Sequence, residues 1–195
     1  KRWQKALSVF DEMKRHRLSP DDITYNNLIK ACGDAGQWQE AMRVFDKMKG
    51  KNIMTFGCMI KACGDGGQWE EALRVFDQMK EHELDPNHVI YNIVIEACGA
   101  SGQWQKALIM FDEMRKNLLT PNNITYNTLI KACGDGGIVK EALRIFDEMK
   151  SKELEPNAIT YSSLIKACED GGEGQEALSV FEEMQSKGMT LNKST

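Results

Sequence analysis

The segment Ile-Thr-Tyr-Asn-x-Leu-Ile-Lys-Ala-Cys-Gly-Asp-x-Gly-Gln-Trp-x-Glu-Ala-Leu-Arg-Val-Phe-Asp-x-Met-Lys, or a close variant of it, recurs five times. A fixed period constrains the fold strongly, because each copy is a small unit that cannot bury its apolar face alone and must stack on its neighbours. Aligning the Tyr-Asn or equivalent pairs places the repeats at 22–52, 53–87, 88–122, 123–157 and 158–192. Four have 35 residues and the first has 31. Residues 1–21 fit the second half of an earlier repeat, since Trp3, Ala6, Phe10 and Met13 match Trp38, Ala41, Phe45 and Met48. A single solenoid domain over 1–195 is expected, with the parent array continuing beyond both ends.

Apolar spacing predicts two helices per repeat. Tyr25, Leu28, Ile29 and Cys32 follow the i, i+3, i+4, i+7 pattern of one buried stripe, and Trp38, Ala41, Met42, Phe45 and Met48 make a second. Gly33 and Gly36 bracket the turn between them. A charged stretch and a Pro-Asn or Pro-Asp pair, as in Leu84-Asp85-Pro86-Asn87, stop one hairpin and start the next. Trp38, Trp69 and Trp104 become Val139 and Gly174 in the last two repeats, so the C-terminal hairpin is expected to be the loosest.

Several chemistries find no support in the residues. Cys32, Cys63, Cys98, Cys133 and Cys168 lie a whole repeat apart, as small core residues do, and lack the close spacing of a zinc site; Cys58 stands outside the register. A reducing compartment is the default. His16, His82 and His88 have no recurring partner. No phosphate-cradling loop ending in Lys-Ser/Thr and no nucleophile with a base is present, so neither catalysis nor a metal or cofactor is expected. The chain has no apolar run near the roughly 18 residues of a membrane span.

The 35-residue period, Ile-Thr-Tyr-Asn-Thr-Leu-Ile at 124–130, Gly-Asp-Gly-Gly at 134–137, Glu-Ala-Leu at 141–143, Phe146, Met149 and Pro156 together resemble the pentatricopeptide repeat. The tetratricopeptide repeat is also a helical hairpin but has a 34-residue period and another first-helix pattern. The resemblance implies an all-α, right-handed superhelical α-solenoid that binds single-stranded RNA at about one base per repeat. In that family the first helix lines the groove. The base is read by the residue after the Tyr and the last residue of the repeat, here Asn26 with Asn52, Gly57 with Asn87, Asn92 with Asn122, Asn127 with Asn157, and Ser162 with Asn192. The aliphatic residue two places before the Tyr clamps the base plane, which designates Ile23, Met54, Val89, Ile124 and Ile159. The family's code gives C or U, A, C or U, C or U, and A, from 5′ to 3′.

Each of these residues also has a plainer use. An Asn just before a helix is a good N-cap, which fits Asn87, Asn122 and Asn157. Asn is a weak helix former, so its recurrence at Asn26, Asn92 and Asn127 favours a polar groove. Lys30, Lys61, Lys131 and Lys166 are the candidates to meet the RNA backbone, with Glu96 at the matching place in the third repeat. Four residues on stand Asp34, Asp65, Asp135 and Asp170, where many family members carry Lys. The net charge of −4 does not decide the sign of a groove, but the paired Lys and Asp rows leave this one close to neutral, so binding would be weak and salt-dependent. Two functions follow from the resemblance: an RNA-binding adaptor in organellar RNA stability, processing or translation, or a protein-facing solenoid subunit of an organellar ribosome or other large assembly. The expected partners are single-stranded RNA and other proteins of a ribonucleoprotein assembly, in a mitochondrion or chloroplast.

Overall fold

The structure is a computed structural model and describes residues 2–190. Those residues form eleven helices and no strand: α1 (Arg2–Arg15), α2 (Asp22–Gly33), α3 (Trp38–Lys47), α4 (Ile53–Asp65), α5 (Trp69–Glu81), α6 (His88–Ala100), α7 (Trp104–Lys116), α8 (Asn123–Asp135), α9 (Val139–Ser151), α10 (Ala158–Asp170) and α11 (Gly174–Ser186). The even-numbered helices open the five repeats and the odd-numbered ones close them. Two compact units divide the chain, Lys1–Ala97 and Cys98–Thr195. In the N-terminal unit α2 packs beside α4, each lies on its own second helix, α3 or α5, and α1 lies on α2. The C-terminal unit follows the same scheme, with α8 beside α10, α9 and α11 behind them, and α7 on α8.

Neighbouring first helices approach closely because glycine faces alanine. A Cβ built on Gly33 would fall 2.7 Å from the Cβ of Ala62, and one on Gly64 would meet Ala97 at 2.7 Å. In the C-terminal unit Gly134 faces Ala167 in the same way and Gly99 faces Ala132. Gly33, a turn bracket in the sequence pattern, is therefore a packing residue at the end of α2. The turn itself belongs to Gly36, whose φ of 69° is costly for any residue with a Cβ. It lets the Gln37 N–H return to the Cys32 carbonyl at 2.9 Å.

The second helices pin each repeat to the next through edge-to-face rings. Phe10 meets Tyr25, Phe45 meets Phe56, and Phe76 meets Tyr91 at centroid distances of 5.2, 5.3 and 5.4 Å. In the C-terminal unit Phe111 with Tyr126 and Phe146 with Tyr161 do the same at 5.6 and 5.5 Å. Such pairs contribute about 0.5–1.5 kcal/mol each beyond the area they bury. Tyr126 also donates to Glu148 at 3.1 Å, and burial with the carboxylate pushes its hydroxyl up to about 12. Trp38 and Trp104 each lie over the turn glycine of the following repeat, Gly66 and Gly136, a packing role.

The short first repeat departs from the sequence pattern. Met48, placed there on the second-helix stripe, is instead an extended C-cap after α3, which ends three residues earlier than its counterparts. Val44 joins Ala41 and Phe45 as the buried face of this helix. In the full-length repeats the helix runs on to a left-handed residue, Glu83, Leu118 or Glu153, which lets the next N–H close on the carbonyl of Met79, Met114 or Met149. The missing residues of the first repeat are this last turn and its loop.

Five cysteines, Cys32, Cys63, Cys98, Cys133 and Cys168, are wholly buried free thiols, whereas Cys58 is half-buried. Burial pushes the thiols up, to about 12 for Cys63 and Cys133 and about 11 for Cys98. A thiol raised in the folded chain favours folding below its unfolded value and loses that effect as pH climbs toward the folded value, so alkali should destabilise the protein from about pH 9 upward. Alkylation followed by mass spectrometry at pH 8 should modify Cys58 first and the other five at the rate of unfolding. Equal reactivity of all six would contradict the packing. The helix contacts make a prediction of opposite signs. Gly64→Ala should lower stability by about 1–3 kcal/mol through overpacking. Gly174→Ala, with nothing within 4 Å of the added carbon, should raise it by about 0.4–1 kcal/mol. Thermal melts that shift the same way for both would refute the close-approach account.

Candidate functional site

Ile23, Met54 and Val89 in the N-terminal unit, and Ile124 and Ile159 in the C-terminal unit, occupy the second position of successive first helices, and all five are 62% to 68% exposed. Each forgoes burial that would stabilise the fold by about 25 cal/mol for every Å² of apolar surface. Single exposed aliphatics are ordinary, but exposure at one register position in every repeat marks a surface kept apolar.

One helical turn further along lie the residues after the Tyr position. Asn26 is buried and Asn92 half-buried, and the Oδ1 of each has no hydrogen-bond partner among the described residues. Gly57 is buried, Asn127 and Ser162 half-buried. Asn127 Oδ1 accepts from the Thr160 hydroxyl at 2.6 Å. A buried amide oxygen without a partner costs about 1–3 kcal/mol, which a ligand donor would relieve at Asn26 and Asn92.

The last residues of the repeats are N-caps. Asn87 Oδ1 accepts from the backbone N–H groups of Val89 and Ile90, Asn122 from Ile124 and Thr125, and Asn157 from Ile159 and Thr160, all at 3.0 or 3.1 Å. These donors fix which end of the amide is which: Oδ1 is committed to the helix and Nδ2 is what remains to offer a ligand. Asn52 caps α4 by accepting from Thr55 at 3.0 Å, and its Nδ2 already donates to Asp22 at 3.2 Å. Asn192 lies outside the described residues.

In the N-terminal unit a cavity of about 600 Å³ is lined by Met54, Gly57, Val89, Ile90 and Ile93 and rimmed by Lys30, Asp34, Lys61 and Asp65. Around Ser162 in the C-terminal unit the corresponding cavity is about 120 Å³, between Lys131, Asp135, Lys166 and Asp170. All four lysines are exposed. Lys61 is tied to Asp65 at 3.2 Å. Burial works against its ammonium charge, but that hydrogen bond and the carboxylates of Asp65, Glu96 and Asp34 outweigh it and hold the group above its ordinary range. No group of three or more metal-ligating side chains occurs among the described residues. The buried threonines Thr55 and Thr160 beside the reading positions were missed as functional residues, although the swap to Ile90 in the third repeat, following Gly57 in the second, is visible in the sequence.

Comparison with known proteins gives this arrangement its context. A model of the PPR repeat family matches residues 86–135 and 135–170, one of the pentatricopeptide repeat domain matches 8–66 and 50–101, and one of the PPR repeat matches 159–189. A pentatricopeptide repeat-containing protein of Arabidopsis thaliana is 45% identical over 51 residues, which are 26% of this chain and 5% of that protein. The crystal structure of the pentatricopeptide repeat protein PPR10 from maize is similar at a TM-score of 0.75 and 31% identity, over 98% of this chain and 28% of that chain. PPR10 in complex with an 18-nt psaJ RNA element is similar at a TM-score of 0.74 and 23% identity, over 96% and 32%. The PPR domain of Arabidopsis thaliana protein-only RNase P 1, in complex with tRNA, reaches 0.68 at 16% identity, over 85% and 90%. The chain thus spans only about a third of the PPR10 chains it matches. With its paired helices, its period and its matched residues, the chain is an all-α repeat solenoid and belongs to the pentatricopeptide repeat family.

Proposed function

We propose that this chain binds single-stranded RNA, one base to a repeat, with the exposed aliphatic residue against the base plane and the paired polar residues on the base edge. The observation that carries the reading is the repeated exposure of Ile23, Met54, Val89, Ile124 and Ile159, with the amide oxygens of Asn26 and Asn92 left unpartnered one helical turn on from two of them. The RNA complex of PPR10 and the tRNA complex of the RNase P domain support it by likeness of fold. An organellar place of work, in a mitochondrion or chloroplast, and a role in RNA stability, processing or translation belong to the same proposal and rest on the family.

The cap geometry supplies the chemistry of selection. A terminal Asn with Oδ1 committed to the helix presents an N–H donor. Adenine and cytosine carry an unprotonated ring nitrogen on the Watson-Crick edge and accept that donor. Guanine and uracil carry a ring N–H there and meet it donor to donor. Asn87, Asn122 and Asn157 therefore favour A or C. The residue in the first helix then sorts by size: Asn92 and Asn127 leave room for a pyrimidine, and the large cavity at Gly57 for a purine. Attraction for phosphate is weak, because Lys61 is neutralised by Asp65, an observation that favours the protein-facing alternative.

Titration of labelled 5′-CACCA-3′ and its single-base variants tests the reading. With three lysines outside that ion pair, log affinity should fall against log salt with a slope of about −2, at roughly −0.7 per phosphate contact. Asn127→Ser should move the fourth-base preference from pyrimidine to purine by about tenfold, the effect of a hydrogen bond of about 1–1.5 kcal/mol. Asn122→Asp keeps a capping oxygen but replaces the donor by an acceptor, and should exchange C for U at the third base. No binding of any sequence at low salt by the folded protein would transfer the proposal to a protein partner.

A further inference from the structure

We propose that Thr160 sets the amide orientation of Asn127 and couples it to Asn157, so that the fourth base is read through a residue of the fifth repeat. The inference rests on the RNA-reading proposal and assigns that reading a positioning residue. Thr160 is wholly buried. Its Oγ1 accepts the backbone N–H of Asn157 at 3.0 Å and lies 2.6 Å from Asn127 Oδ1 and 3.2 Å from Asn157 Oδ1. A hydroxyl has one proton, and the shorter contact takes it. Asn127 Oδ1 is thereby held from the neighbouring helix, and its Nδ2 is left for a base. Both members of the Asn127 and Asn157 pair touch this one oxygen, and both are fixed with the donor end free.

The N-terminal unit supplies two comparisons. Where the first reading residue is Gly57, the threonine place in the next repeat is Ile90, and a Cβ on Gly57 would come 3.0 Å from the Ile90 Cδ1. The two replacements are complementary: with no amide to orient there is no hydroxyl, and the isoleucine occupies the space an amide would need. At Asn26 the link is open. The Thr55 hydroxyl instead faces Asn52 Oδ1 at 3.1 Å and the Met48 sulfur at 3.8 Å, and Asn26 Oδ1 is left unpartnered. Met48 reaches Thr55 because the short first repeat brings its C-cap there. Asn92 Oδ1 in the full-length third repeat is unpartnered as well, so repeats one and three should both select their bases less sharply than repeat four.

The experiment compares wild type, Thr160→Ser and Thr160→Val by titration with RNAs varied at the third or fourth base, and follows the Asn127 side-chain amide by NMR. Wild type should prefer a pyrimidine fourth, and Thr160→Ser should keep that preference within about twofold. Thr160→Val should lose about tenfold of it, the worth of one hydrogen bond, with third-base preference unchanged and the Asn127 amide signal shifted. Undiminished selectivity in Thr160→Val, or equal loss in Thr160→Ser, would overturn the role of the hydroxyl while leaving RNA reading intact. A wild type that binds no RNA would overturn both. Because Thr160→Val also removes a helix-capping contact, a second arm covers a folding failure. Gly57→Asn with Ile90→Thr should gain a pyrimidine preference at the second base, and Gly57→Asn alone should not; a gain in the single variant equal to that in the double would overturn the coupling.

Discussion

The close contact of a glycine with an alanine across neighbouring first helices is the constraint on which the other features depend. Ordinary helices pack with axes about 8–10 Å apart, a separation set by the side chains between them. Removing the Cβ at Gly33, Gly64 and Gly134 brings the backbone of one helix against the Ala62, Ala97 or Ala167 side chain of the next. At that separation a side chain of one repeat reaches a side chain of the following one, as Thr160 reaches Asn127. The ring pairs behind, such as Phe76 with Tyr91 and Phe146 with Tyr161, fix the tilt between repeats. With both contacts set, the residue at a given place in one repeat finds its counterpart in the same relation one repeat later, and the exposed aliphatic positions form a regular series within each unit.

Periodicity made much of this legible. Two stripes at helical spacing are enough to announce a hairpin, and a cysteine recurring at the inward position of the first stripe announces its own burial, as Cys63 and Cys133 show. The candidate positions could be placed only through the family resemblance, because Ile124 and Asn127 look like ordinary members of a helix until the exposed face is known. Two kinds of information escaped the pattern. The first is what a glycine is for: Gly33 and Gly36 sit three residues apart near a turn, yet one admits a neighbouring helix and the other a positive φ. The second is which side chains meet between repeats. A period reports which residues share a face and says nothing of whether Asn127 finds Thr160 or solvent. Met48 fell between the two, since a shortened repeat breaks the register on which its helical assignment depended.

Charge and specificity separate in this surface. A protein that holds RNA mainly by phosphate attraction needs cations free to release counterions, whereas Lys61 stands among Asp34, Asp65 and Glu96. Base stacking and clamping contribute about 1–3 kcal/mol per base and tolerate any base. What remains to discriminate is the hydrogen-bonding edge. In the proposed reading, weak phosphate attraction would lower the affinity for every sequence alike and leave the difference between a right and a wrong base to that edge.

The N-caps carry this argument to its last step. An amide is symmetric enough that a free Asn can turn either end to a base and so accept all four. Tying Oδ1 of Asn122 or Asn157 to two backbone N–H groups removes that freedom, because flipping the amide would bring its N–H donors against the helix donors and forfeit the cap, worth about 0.5–2 kcal/mol. In the proposed reading, the contact that starts each helix would also decide which bases the preceding repeat can accept. Thr160 extends the same device to Asn127, where no helix start is at hand and the fixed partner must come from the next repeat. A chain that read bases this way would tie its preferences to its fold. Loosening the stack between two repeats would blur the base selected by the first of them before it unfolded either.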